Sequence, residues 1–407
     1  MLVPSIDLMD GKAVQLKHGR EKVLERTDVI ELAERFGRVG EIAVVDLDAA
    51  MGKGDNEALI REIVKHAACR VGGGIRTEDH ARRLLRAGAH RVIIGTAASR
   101  DLLSRLPRHR VIVALDSIEG DVVTKGWTTR TGKTPVEQMQ ILAPYASGFL
   151  CTFVETEGTM RGISMERVRE LRAATGLSLT VAGGVKDLDE VVALDREGVD
   201  VQVGMAIYTG AMDVSDAFVA CMDFSKGLVP TVAQDPNGQV LMLAYSSAES
   251  LKQAIDTGRA TYYSRSRDSI WVKGETSGNT QRLARVLTDC DRDALVFVVE
   301  QKGVACHKGT YTCFGGGGKR FNLGTLFDVI TKRREDPQPG SYTSFLFEKD
   351  DRIPRKLNEE VYELLTAESH DDVVWEAADV MYFLLTYAAK RGVDLDEIIA
   401  ELRGRER

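Results

Sequence analysis

The sequence predicts a multidomain protein: a (βα)8 TIM barrel, then a small β-rich α+β domain, then an all-α helical domain. Its 407 residues exceed one ordinary domain of roughly 100–200 residues. Up to about Phe224 short β-branched runs alternate with helix-like stretches, and from Leu326 onward helical periodicity dominates. We expect the barrel over 1–222, the β-rich domain over 223–314, a glycine-rich linker over 315–322 and the helical domain over 323–407.

Composition narrows the class of protein further. With 43% hydrophobic and 28% charged residues, the chain is typical of soluble globular proteins, and no apolar stretch approaches the ~20 residues of a membrane span. The first residues lack the basic leader and apolar core of a signal peptide. A net charge of −7 argues against general nucleic-acid affinity, although local basic pockets could still hold acidic substrates. With six cysteines and no secretory signal, we expect a cytoplasmic protein with reduced thiols.

The barrel prediction rests on eight short apolar runs, each followed by a helix-like stretch. Parallel strands joined by crossover helices give this pattern, and eight of them close a barrel. The runs are LVPSIDL, IAVVDLD, RVGGGI, RVIIGT, VIVALD, FLCTFV, LTVAGGV and VDVQVG.

The predicted barrel also repeats itself. Asp7 ends the first run and Asp116 ends the fifth, 109 residues later, and Gly95 and Gly204 end the fourth and eighth runs at the same offset. The glycine turn after the third run recurs after the seventh. Matching features at matching strand ends indicate two half-barrels.

This repeat predicts paired sites on the active face, which lies at the carboxyl ends of barrel strands. Glycine lets backbone N–H groups approach a phosphate closely, so two such sites suit a substrate with a phosphate at each end. Asp7 and Asp116 would face its middle as an acid and a base. An isolated glycine pair is more often only a turn, and an Asp at the end of a strand is often a helix cap. The symmetric set of residues nevertheless favours phosphate sites at Gly74, Gly95, Gly184 and Gly204.

Several longer motifs of the predicted barrel resemble those of a known enzyme family. PSIDLMDGKAV, GGGIR, ALD, KGW, LCT and AGGV resemble the ProFAR isomerases of histidine biosynthesis over nearly all of the first 222 residues. The resemblance implies an Amadori rearrangement of a bisphosphorylated aminoaldose, with Asp7 and Asp116 as the acid/base pair and Thr152 supporting the reaction. The sequence departs from the family pattern at three positions, Phe153, Glu157 and Met205.

The middle block begins with QDPNGQV, which predicts a hairpin, and contains the chain's densest group of metal-binding residues. In an extended strand, TDCDRD would place Asp289, Asp291 and Asp293 on one face, as oxygen ligands for Mg²⁺, and Cys290 on the other. Cys290, Cys306 and Cys313 would give a zinc site with a fourth position open for water. His307 is a candidate acid or orienting group. The alternatives are buried thiols and a solvated acidic edge.

The same block resembles phosphoribosyl-AMP cyclohydrolase, through YYSRSRDSIWVKGETSGNTQ, DCDRDAL, VEQ, ACH and CF. The resemblance implies hydrolysis of the N1–C6 bond of the adenine ring with zinc and Mg²⁺. It also implies a homodimer, in which Cys290 joins Cys306 and Cys313 of a partner chain. Phosphate and ribose contacts are then expected from Arg265, Arg267 and the GETSG turn with Glu275 and Ser277.

In the last block, carboxylates recur at helical spacing. Glu360 and Glu363 lie three residues apart, as do Glu376 and Asp379, with Glu359 beside the first pair. If the two helices pack side by side, these carboxylates converge and require a cation such as Mg²⁺. A single EExxE motif is more often a solvent-exposed helix face, but the second pair of carboxylates favours a metal site. We expect a core stripe at Leu357, Val361 and Leu365.

This arrangement resembles the all-α, MazG-like nucleoside-triphosphate pyrophosphohydrolases, and LFDVITKRREDPQPGSYTSFLF resembles phosphoribosyl-ATP pyrophosphohydrolase from about Leu323 onward. The resemblance implies Mg²⁺-dependent cleavage of the α–β phosphate bond. Arg333, Arg334 and the SYT at 341–343 would lie near the substrate phosphates. Phe383 stands where a histidine often follows the tyrosine.

Together the three resemblances predict a trifunctional enzyme that converts phosphoribosyl-ATP to the isomerised ProFAR product. Its partners would be small phosphorylated substrates and a second copy of itself, with no nucleic acid and no membrane. One alternative keeps the two hydrolytic activities and makes the barrel a scaffold, or gives it altered specificity such as phosphoribosylanthranilate. Another is a non-catalytic, zinc-held dimerisation protein.

Overall fold

The computed structural model describes residues 1–17, 19, 21–315, 317–349 and 351–404. Gly316 of the predicted linker and residues 405–407 of the predicted helical domain lie outside the described residues. The chain divides into a compact unit over 1–316 and a second over 317–403. No described helix combines the length and the hydropathy that a bilayer span requires.

Eight of the described strands close a parallel barrel, which confirms the predicted fold of the first region. Along the barrel wall they pair in the order β1–β4–β5–β6–β7–β10–β11–β12 and back to β1. The remaining strands extend β1 and β7, so each half-barrel carries an antiparallel extension after its first strand. The strands are β1 (Leu2–Met9), β2 (Lys12–Lys17), β3 (Glu21–Arg26), β4 (Ile42–Asp46), β5 (Cys69–Gly72), β6 (Arg91–Ile94), β7 (Val111–Ile118), β8 (Asp121–Thr124), β9 (Thr129–Arg130), β10 (Gly148–Phe153), β11 (Ser178–Ala182) and β12 (Asp200–Val203).

Helices follow the barrel strands, and side-chain caps start several of them. Thr77, Thr134, Ser164 and Asp187 each accept a hydrogen bond from a backbone N–H in the first turn of the helix that follows. The helices are α1 (Val29–Gly37), α2 (Leu47–Met51), α3 (Glu57–His66), α4 (Glu78–Arg86), α5 (Arg100–Leu103), α6 (Pro135–Leu142), α7 (Met165–Ala173), α8 (Leu188–Arg196), α9 (Met205–Tyr208) and α10 (Val214–Ala220).

A mixed sheet follows the barrel within the same unit. Its order is β16–β15–β14–β13–β18–β17, with β13 and β18 parallel and the other neighbours antiparallel. The buried rings of Tyr262 and Phe297 stack with centroids 5.4 Å apart in its core. The elements are β13 (Val229–Gln234), β14 (Val240–Ser246), α11 (Ala248–Thr257), β15 (Thr261–Ser264), β16 (Ser269–Val272), β17 (Gln281–Thr288) and β18 (Leu295–Gln301).

The predicted hairpin at QDPNGQV is confirmed and links β13 to β14. The buried Asp235 carboxylate accepts the N–H groups of Asn237 and Gln239, which closes the turn. The sheet and the barrel share one continuous hydrophobic core. Arg38 of the barrel joins them: its carbonyl accepts from the Val286 N–H at 2.7 Å, and its guanidinium donates to the Ile255 carbonyl at 2.9 Å.

The second unit is helical, as predicted. Its main core is formed by α12 and α15, and a smaller cluster of Leu346, Ile353 and Phe383 joins α13, α14 and α15. The helices are α12 (Leu323–Glu335), α13 (Tyr342–Phe347), α14 (Arg352–Thr366), α15 (His370–Lys390) and α16 (Leu395–Gly404).

The predicted core stripe of α14 is confirmed at Leu357, which packs half-buried against the smaller cluster, and is wrong at Val361 and Leu365. Val361 is 38% exposed and Leu365 is 79% exposed, whereas Ile353 and Glu360 are the buried side chains of that helix. An i, i+4 apolar pattern defines one face of a helix but not which neighbour covers it. Here α15 packs on the face that carries Glu360. The carboxylates of both helices therefore lie at their shared interface, and the outer part of the apolar stripe is left exposed.

Candidate active sites

A cavity of about 860 Å³ opens at the carboxyl ends of the barrel strands. Asp7 from β1 and Asp116 from β7 both line it, and so does Thr152 from β10. Its inner wall is apolar, formed by Ile93, Leu150 and Ala182 of the barrel interior. The two aspartates, 109 residues apart in sequence, therefore share one cavity.

The glycine turns line the same cavity, and the structure shows why they are glycines. Gly73 and Gly183 have φ angles of +95° and +102°. A Cβ at Gly73 would lie 2.2 Å from the Asp46 carbonyl oxygen, and one at Gly183 would lie 2.4 Å from that of Phe153. Each turn thus packs against the end of the preceding strand in its own half-barrel. Gly74, Gly95, Gly184 and Gly204 also line the cavity.

The two aspartates are held in different hydrogen-bonding environments. Burial raises the pKa of Asp7 to about 6, opposed by a 2.7 Å hydrogen bond from the Ser5 hydroxyl. Burial also raises the pKa of Asp116, opposed by hydrogen bonds from the Trp127 indole at 2.8 Å and from Thr152. Carboxyl groups with raised pKa values are suited to exchanging protons near neutral pH.

Glu157 brings a third carboxyl group to the cavity, from the loop that follows β10. Burial, with the charges of Asp7 and Asp116, raises its pKa to about 8. Of the other two departures from the family pattern, Met205 lines the cavity, and Phe153 is buried with the Arg167 guanidinium 4.5 Å from its ring centroid.

The acidic residues of the middle block lie in a turn and not, as predicted, along a strand. The strand β17 ends at Thr288, and Arg292 has a φ of +64°, which breaks the alternation of an extended chain. The carboxylates of Asp289, Asp291 and Asp293 nevertheless come together, with ligand atoms within 4.8 Å of one another. The turn, which we call the acidic turn (residues 289–293), thus provides a cluster of oxygen donors suited to Mg²⁺.

Two of the three predicted zinc ligands meet within one chain. The thiols of Cys306 and Cys313 contact each other, and the Cys313 N–H donates to the Leu241 carbonyl of β14 at 2.7 Å. A hydrogen bond from the Lys308 backbone N–H lowers the pKa of the Cys306 thiol. Among the described residues, Cys290 forms no three-ligand cluster with this pair, so within a single chain the thiolate set is incomplete.

Polar side chains predicted to contact substrate lie on the exposed turns of the same sheet. The guanidinium of Arg265 stacks on the Tyr245 ring at 3.8 Å, and Arg267 donates to the Ser264 hydroxyl at 3.2 Å. Exposed side chains at the neighbouring turns and the cysteine loop are Glu275, Ser277 and His307.

In the helical unit, α14 and α15 bring three carboxylates together. The oxygens of Glu360, Glu363 and Glu376 lie within 4.8 Å of one another. Burial and the charges of Glu363 and Glu360 raise the pKa of Glu376, and Asp379 adds to the rise. Among the described residues, the buried Glu376 Oε2 has no hydrogen-bond partner. A cation between the helices would satisfy this oxygen and neutralise the repulsion, so the donor set fits Mg²⁺.

The other predicted residues of this unit have different surroundings. Glu359 lies outside the three-carboxylate group and pairs with Lys356 at 3.0 Å. Arg334 donates to the Ala389 carbonyl near the C-terminal end of α15 and lines a cleft together with Ser341. Arg333 precedes it near the end of α12. Phe383 packs in the core, which explains why an apolar ring is accepted there.

Three family profiles match consecutive parts of the chain. The family described as "Histidine biosynthesis protein" matches residues 1–213, slightly more than half of the chain. "Phosphoribosyl-AMP cyclohydrolase" matches residues 242–315, and "Phosphoribosyl-ATP pyrophosphohydrolase" matches residues 323–406. The chain belongs to the histidine biosynthesis protein family. It is an enzyme of that pathway with isomerase, cyclohydrolase and pyrophosphohydrolase domains in this order, which confirms the three resemblances.

Similar proteins of the pathway support the assignment of the two hydrolytic domains. The histidine biosynthesis bifunctional protein HisIE of Pyrococcus furiosus is 41% identical over 195 residues, which are 45% of this chain and 93% of that protein. HisIE of Caldanaerobacter subterraneus is 42% identical over 191 residues, 44% of this chain and 93% of the relative. The histidine biosynthesis trifunctional protein of Saccharomyces cerevisiae is 43% identical over 177 residues, 43% of this chain and 22% of the yeast protein.

Sequence reasoning missed two polar groups of the isomerase cavity. Glu157 was recognised only as a departure from the family pattern, and its raised pKa depends on burial that a loop sequence does not reveal. Gln15 lines the cavity beside Gly204, and its buried Nε2 has no hydrogen-bond partner among the described residues. Its position on β2, in the first hairpin extension, was the available signal.

Proposed function

We propose that this histidine-biosynthesis enzyme catalyses three consecutive steps. The helical unit releases pyrophosphate from phosphoribosyl-ATP, the sheet domain opens the adenine ring of phosphoribosyl-AMP, and the barrel isomerises the resulting ProFAR. The observation that carries the proposal is the occurrence of three separate donor sets, one in each matched region: the aspartate-lined cavity, the thiol pair with the acidic turn, and the helical carboxylates. We assign the isomerase domain to 1–222, the cyclohydrolase domain to 223–314 and the pyrophosphohydrolase domain to 323–407. Residues 315–322 link the second domain to the third.

In the barrel, the Asp7 and Asp116 carboxyl groups would move the protons of an Amadori rearrangement. One, protonated because burial raises its pKa, donates a proton to the furanose ring oxygen as the ring opens. The other, ionised, removes the proton from C2 to give the enaminol. Protonation of C1 and loss of the proton from the C2 hydroxyl then give the aminoketose. Thr152, by its hydrogen bond to Asp116, would orient that carboxyl group.

The phosphates of the substrate would bind at the two ends of the same cavity. Gly74 with Gly95, and Gly184 with Gly204, allow close approach of the backbone at positions related by the half-barrel repeat. The unpartnered Nε2 of Gln15 beside Gly204 would donate a hydrogen bond at one of these ends.

In the sheet domain, Cys306 and Cys313 would hold zinc together with Cys290 of a second copy, which makes a homodimer part of the site. Zinc bound in this way supplies hydroxide at neutral pH by lowering the pKa of water. The lowered pKa of Cys306 and the nearby Lys273 ammonium, which donates to the Ala305 carbonyl at 2.9 Å, favour the metal-binding thiolate form of Cys306. Burial and the neighbouring Cys306 thiol raise the pKa of Cys313, which would bind as a thiolate once the metal displaces its proton.

Substrate and magnesium would be held around this centre. We assign Mg²⁺ to Asp289, Asp291 and Asp293, phosphate and ribose contacts to Arg265, Arg267, Glu275 and Ser277, and proton transfer or orientation to His307. The stacking of Arg265 on Tyr245 of β14 fixes the plane of one guanidinium group beside the sheet.

In the helical unit, Glu360, Glu363, Glu376 and Asp379 would hold Mg²⁺, which activates water for attack on the α–β phosphate bond. The unpartnered Glu376 oxygen supports this assignment most directly. Glu359 would act on this group through Lys356, which pairs with both Glu359 and Glu360. We place Arg333 and Arg334 near the leaving pyrophosphate, where Arg334 already lines a cleft.

One coupled experiment tests the whole proposal. The full-length protein, loaded with zinc and magnesium, receives phosphoribosyl-ATP while each intermediate is followed by mass. We expect phosphoribosyl-AMP, ProFAR and the isomerised product to appear in that order. Accumulation of ProFAR at the rate of an Asp7→Asn variant would show that the barrel is a scaffold. Turnover of phosphoribosylanthranilate would show the altered specificity that Glu157 and Met205 allow for.

A further inference from the structure

The acidic turn of the cyclohydrolase domain is attached to the barrel. The guanidinium of Arg292 donates to the Asp195 carboxylate near the end of α8 at 2.7 Å, and the same carboxylate oxygen also pairs with the Met1 ammonium at 2.7 Å. The carbonyl of Arg292 accepts from the Asp223 N–H at 2.9 Å. A third contact joins Lys226, in the segment connecting the barrel to β13, to Asp293 at 2.9 Å.

These contacts coincide with a strained backbone conformation. Arg292 has a φ of +64°, a region that residues other than glycine adopt rarely. The side chains of Arg292 and Asp195 are 22% and 8% exposed, so the ion pair is largely shielded from solvent. The barrel therefore helps to hold the one residue whose conformation turns the chain between Asp291 and Asp293.

We propose that Arg292 and Asp195 are positioning residues for the magnesium site of the cyclohydrolase domain, so that the barrel orders this site as well as catalysing its own reaction. The inference rests on the proposed Mg²⁺ role of the acidic turn. Three carboxylates within 4.8 Å repel one another, and a turn free to open would separate them. An anchor outside the metal-binding set keeps them together before the ion arrives, as outer-shell partners do at other metal sites.

Two substitutions test the anchor because their direct charge effects have opposite signs. Removing the cation in Arg292→Ala should by Coulomb attraction alone tighten binding of a metal ion, whereas removing the anion in Asp195→Asn should weaken it. Loss of positioning weakens binding in both, by about 10-fold. Equal or tighter binding by Arg292→Ala would overturn the inference.

The binding probe is Mn²⁺, measured by the electron paramagnetic resonance signal of the free ion. The protein is the full-length, zinc-loaded chain carrying Glu360→Gln, Glu363→Gln and Glu376→Gln, which together remove the competing helical carboxylate site. Lys252→Ala is the matched control, since Lys252 pairs with Asp216 at 2.5 Å across the same two domains but away from the acidic turn. We expect Lys252→Ala to bind Mn²⁺ as tightly as the parent. If its affinity for Mn²⁺ fell as much as that of the anchor variants, the loss would come from a general weakening of the contact between the two domains, and the anchor would be refuted.

A further variant separates this inference from the proposed function. Asp291→Asn in the same background should remove the Mn²⁺ site, and if it does not, the assigned magnesium role of the turn is itself wrong. If Asp291→Asn removes the site while Asp195→Asn and Arg292→Ala bind like the parent, only the anchor is wrong. The isomerase rate should stay unchanged in Asp195→Asn, because Asp195 does not line the barrel cavity.

Discussion

At the residue scale, the barrel cavity gathers carboxyl groups whose pKa values burial has raised. Asp7, Asp116 and Glu157 all line it, and Glu157 has its pKa raised further by the charges of the two aspartates. Three such groups in one apolar-walled cavity are unfavourable for folding when ionised. The raised pKa values fit the proton transfer near neutral pH that we propose for this cavity.

Asp7→Asn should therefore stabilise the protein while it inactivates the isomerase. The native pKa of Asp7, about 6, lies above its usual value of 3.8, so the ionised group destabilises the fold at pH 7. This penalty decreases as pH falls through 6 and disappears below about 4. Urea unfolding at pH 7 should show a gain of up to about 3 kcal/mol that shrinks toward pH 4, and ProFAR turnover should fall about 10²–10⁴-fold.

Asp101→Asn is the control for this measurement. Asp101 is exposed on α5, so its substitution should change stability by less than about 0.5 kcal/mol and leave turnover intact. A destabilised Asp7→Asn protein at pH 7 would show that the carboxylate is held by favourable contacts and not strained by burial.

Cys306→Ser should remove zinc and ring opening together. The hydroxyl is a much poorer ligand than a thiolate, so zinc content by atomic absorption and cyclohydrolase activity should both fall below about 1% of the parent. Pyrophosphate release should be unaffected, because its carboxylates lie on α14 and α15. In the control Cys221→Ser, at a half-buried thiol of the barrel, zinc content should be retained. Ring opening without zinc would remove the metal from the mechanism.

At the scale of elements, α14 and α15 form a helix pair whose shared interface is lined by carboxylates. Both α14 and α15 present glutamates to their shared interface, and Glu360 is only 5% exposed. Apolar side chains of the same helices, including Leu365 and Trp375, are exposed. The shared interface is thus acidic, and a cation bound there, as we propose, would relieve the repulsion between the glutamates.

Glu363→Gln should stop pyrophosphate release. One metal-binding oxygen is lost, and since a bound metal contributes several kcal/mol to the transition state, the rate should fall at least about 100-fold. The matched control is Glu359→Gln, because Glu359 lies outside the three-carboxylate group and reaches it through Lys356, which also pairs with Glu360 at 2.7 Å. This variant should keep near-parental turnover. Phosphate release in a pyrophosphatase-coupled assay measures both. Equal losses in the two variants would place Glu359 among the ligands, as the sequence alone predicted.

At the scale of the whole molecule, the chain folds as two units and not as the three domains that the family matches mark out. The barrel and the sheet share one hydrophobic core, to which both contribute fully buried side chains such as Ile6 and Phe297. The connection to the helical unit passes through glycines that hold no regular structure in the described residues.

Calorimetry should therefore show two unfolding transitions. Residues 1–316 should unfold as one cooperative block with the larger enthalpy, since specific enthalpies are similar per residue, and residues 317–403 should unfold separately. Inserting ten Gly/Ser residues after Gly317 should leave both midpoint temperatures and all three rates unchanged. A separate transition for the sheet domain would contradict the shared core.

The amino-acid sequence determined the three family regions, their order and the residues assigned to the proposed chemistry. The period of apolar runs specified the barrel, and the 109-residue offset paired Asp7 with Asp116, because equivalent strand ends in a closed barrel meet at one face. Local spacing likewise grouped Glu360 with Glu363. Such features depend on spacing along the chain or on an internal repeat, and both can be read directly from the amino-acid sequence.

Only the tertiary structure decided the rest. It turned the acidic segment at Arg292, exposed the stripe at Val361 and Leu365, and buried Glu157 in the cavity. It also joined the acidic turn to the barrel through Asp195. Each of these outcomes depends on which distant surface covers a residue, and burial, pKa and turn conformation follow from that contact and not from the local pattern.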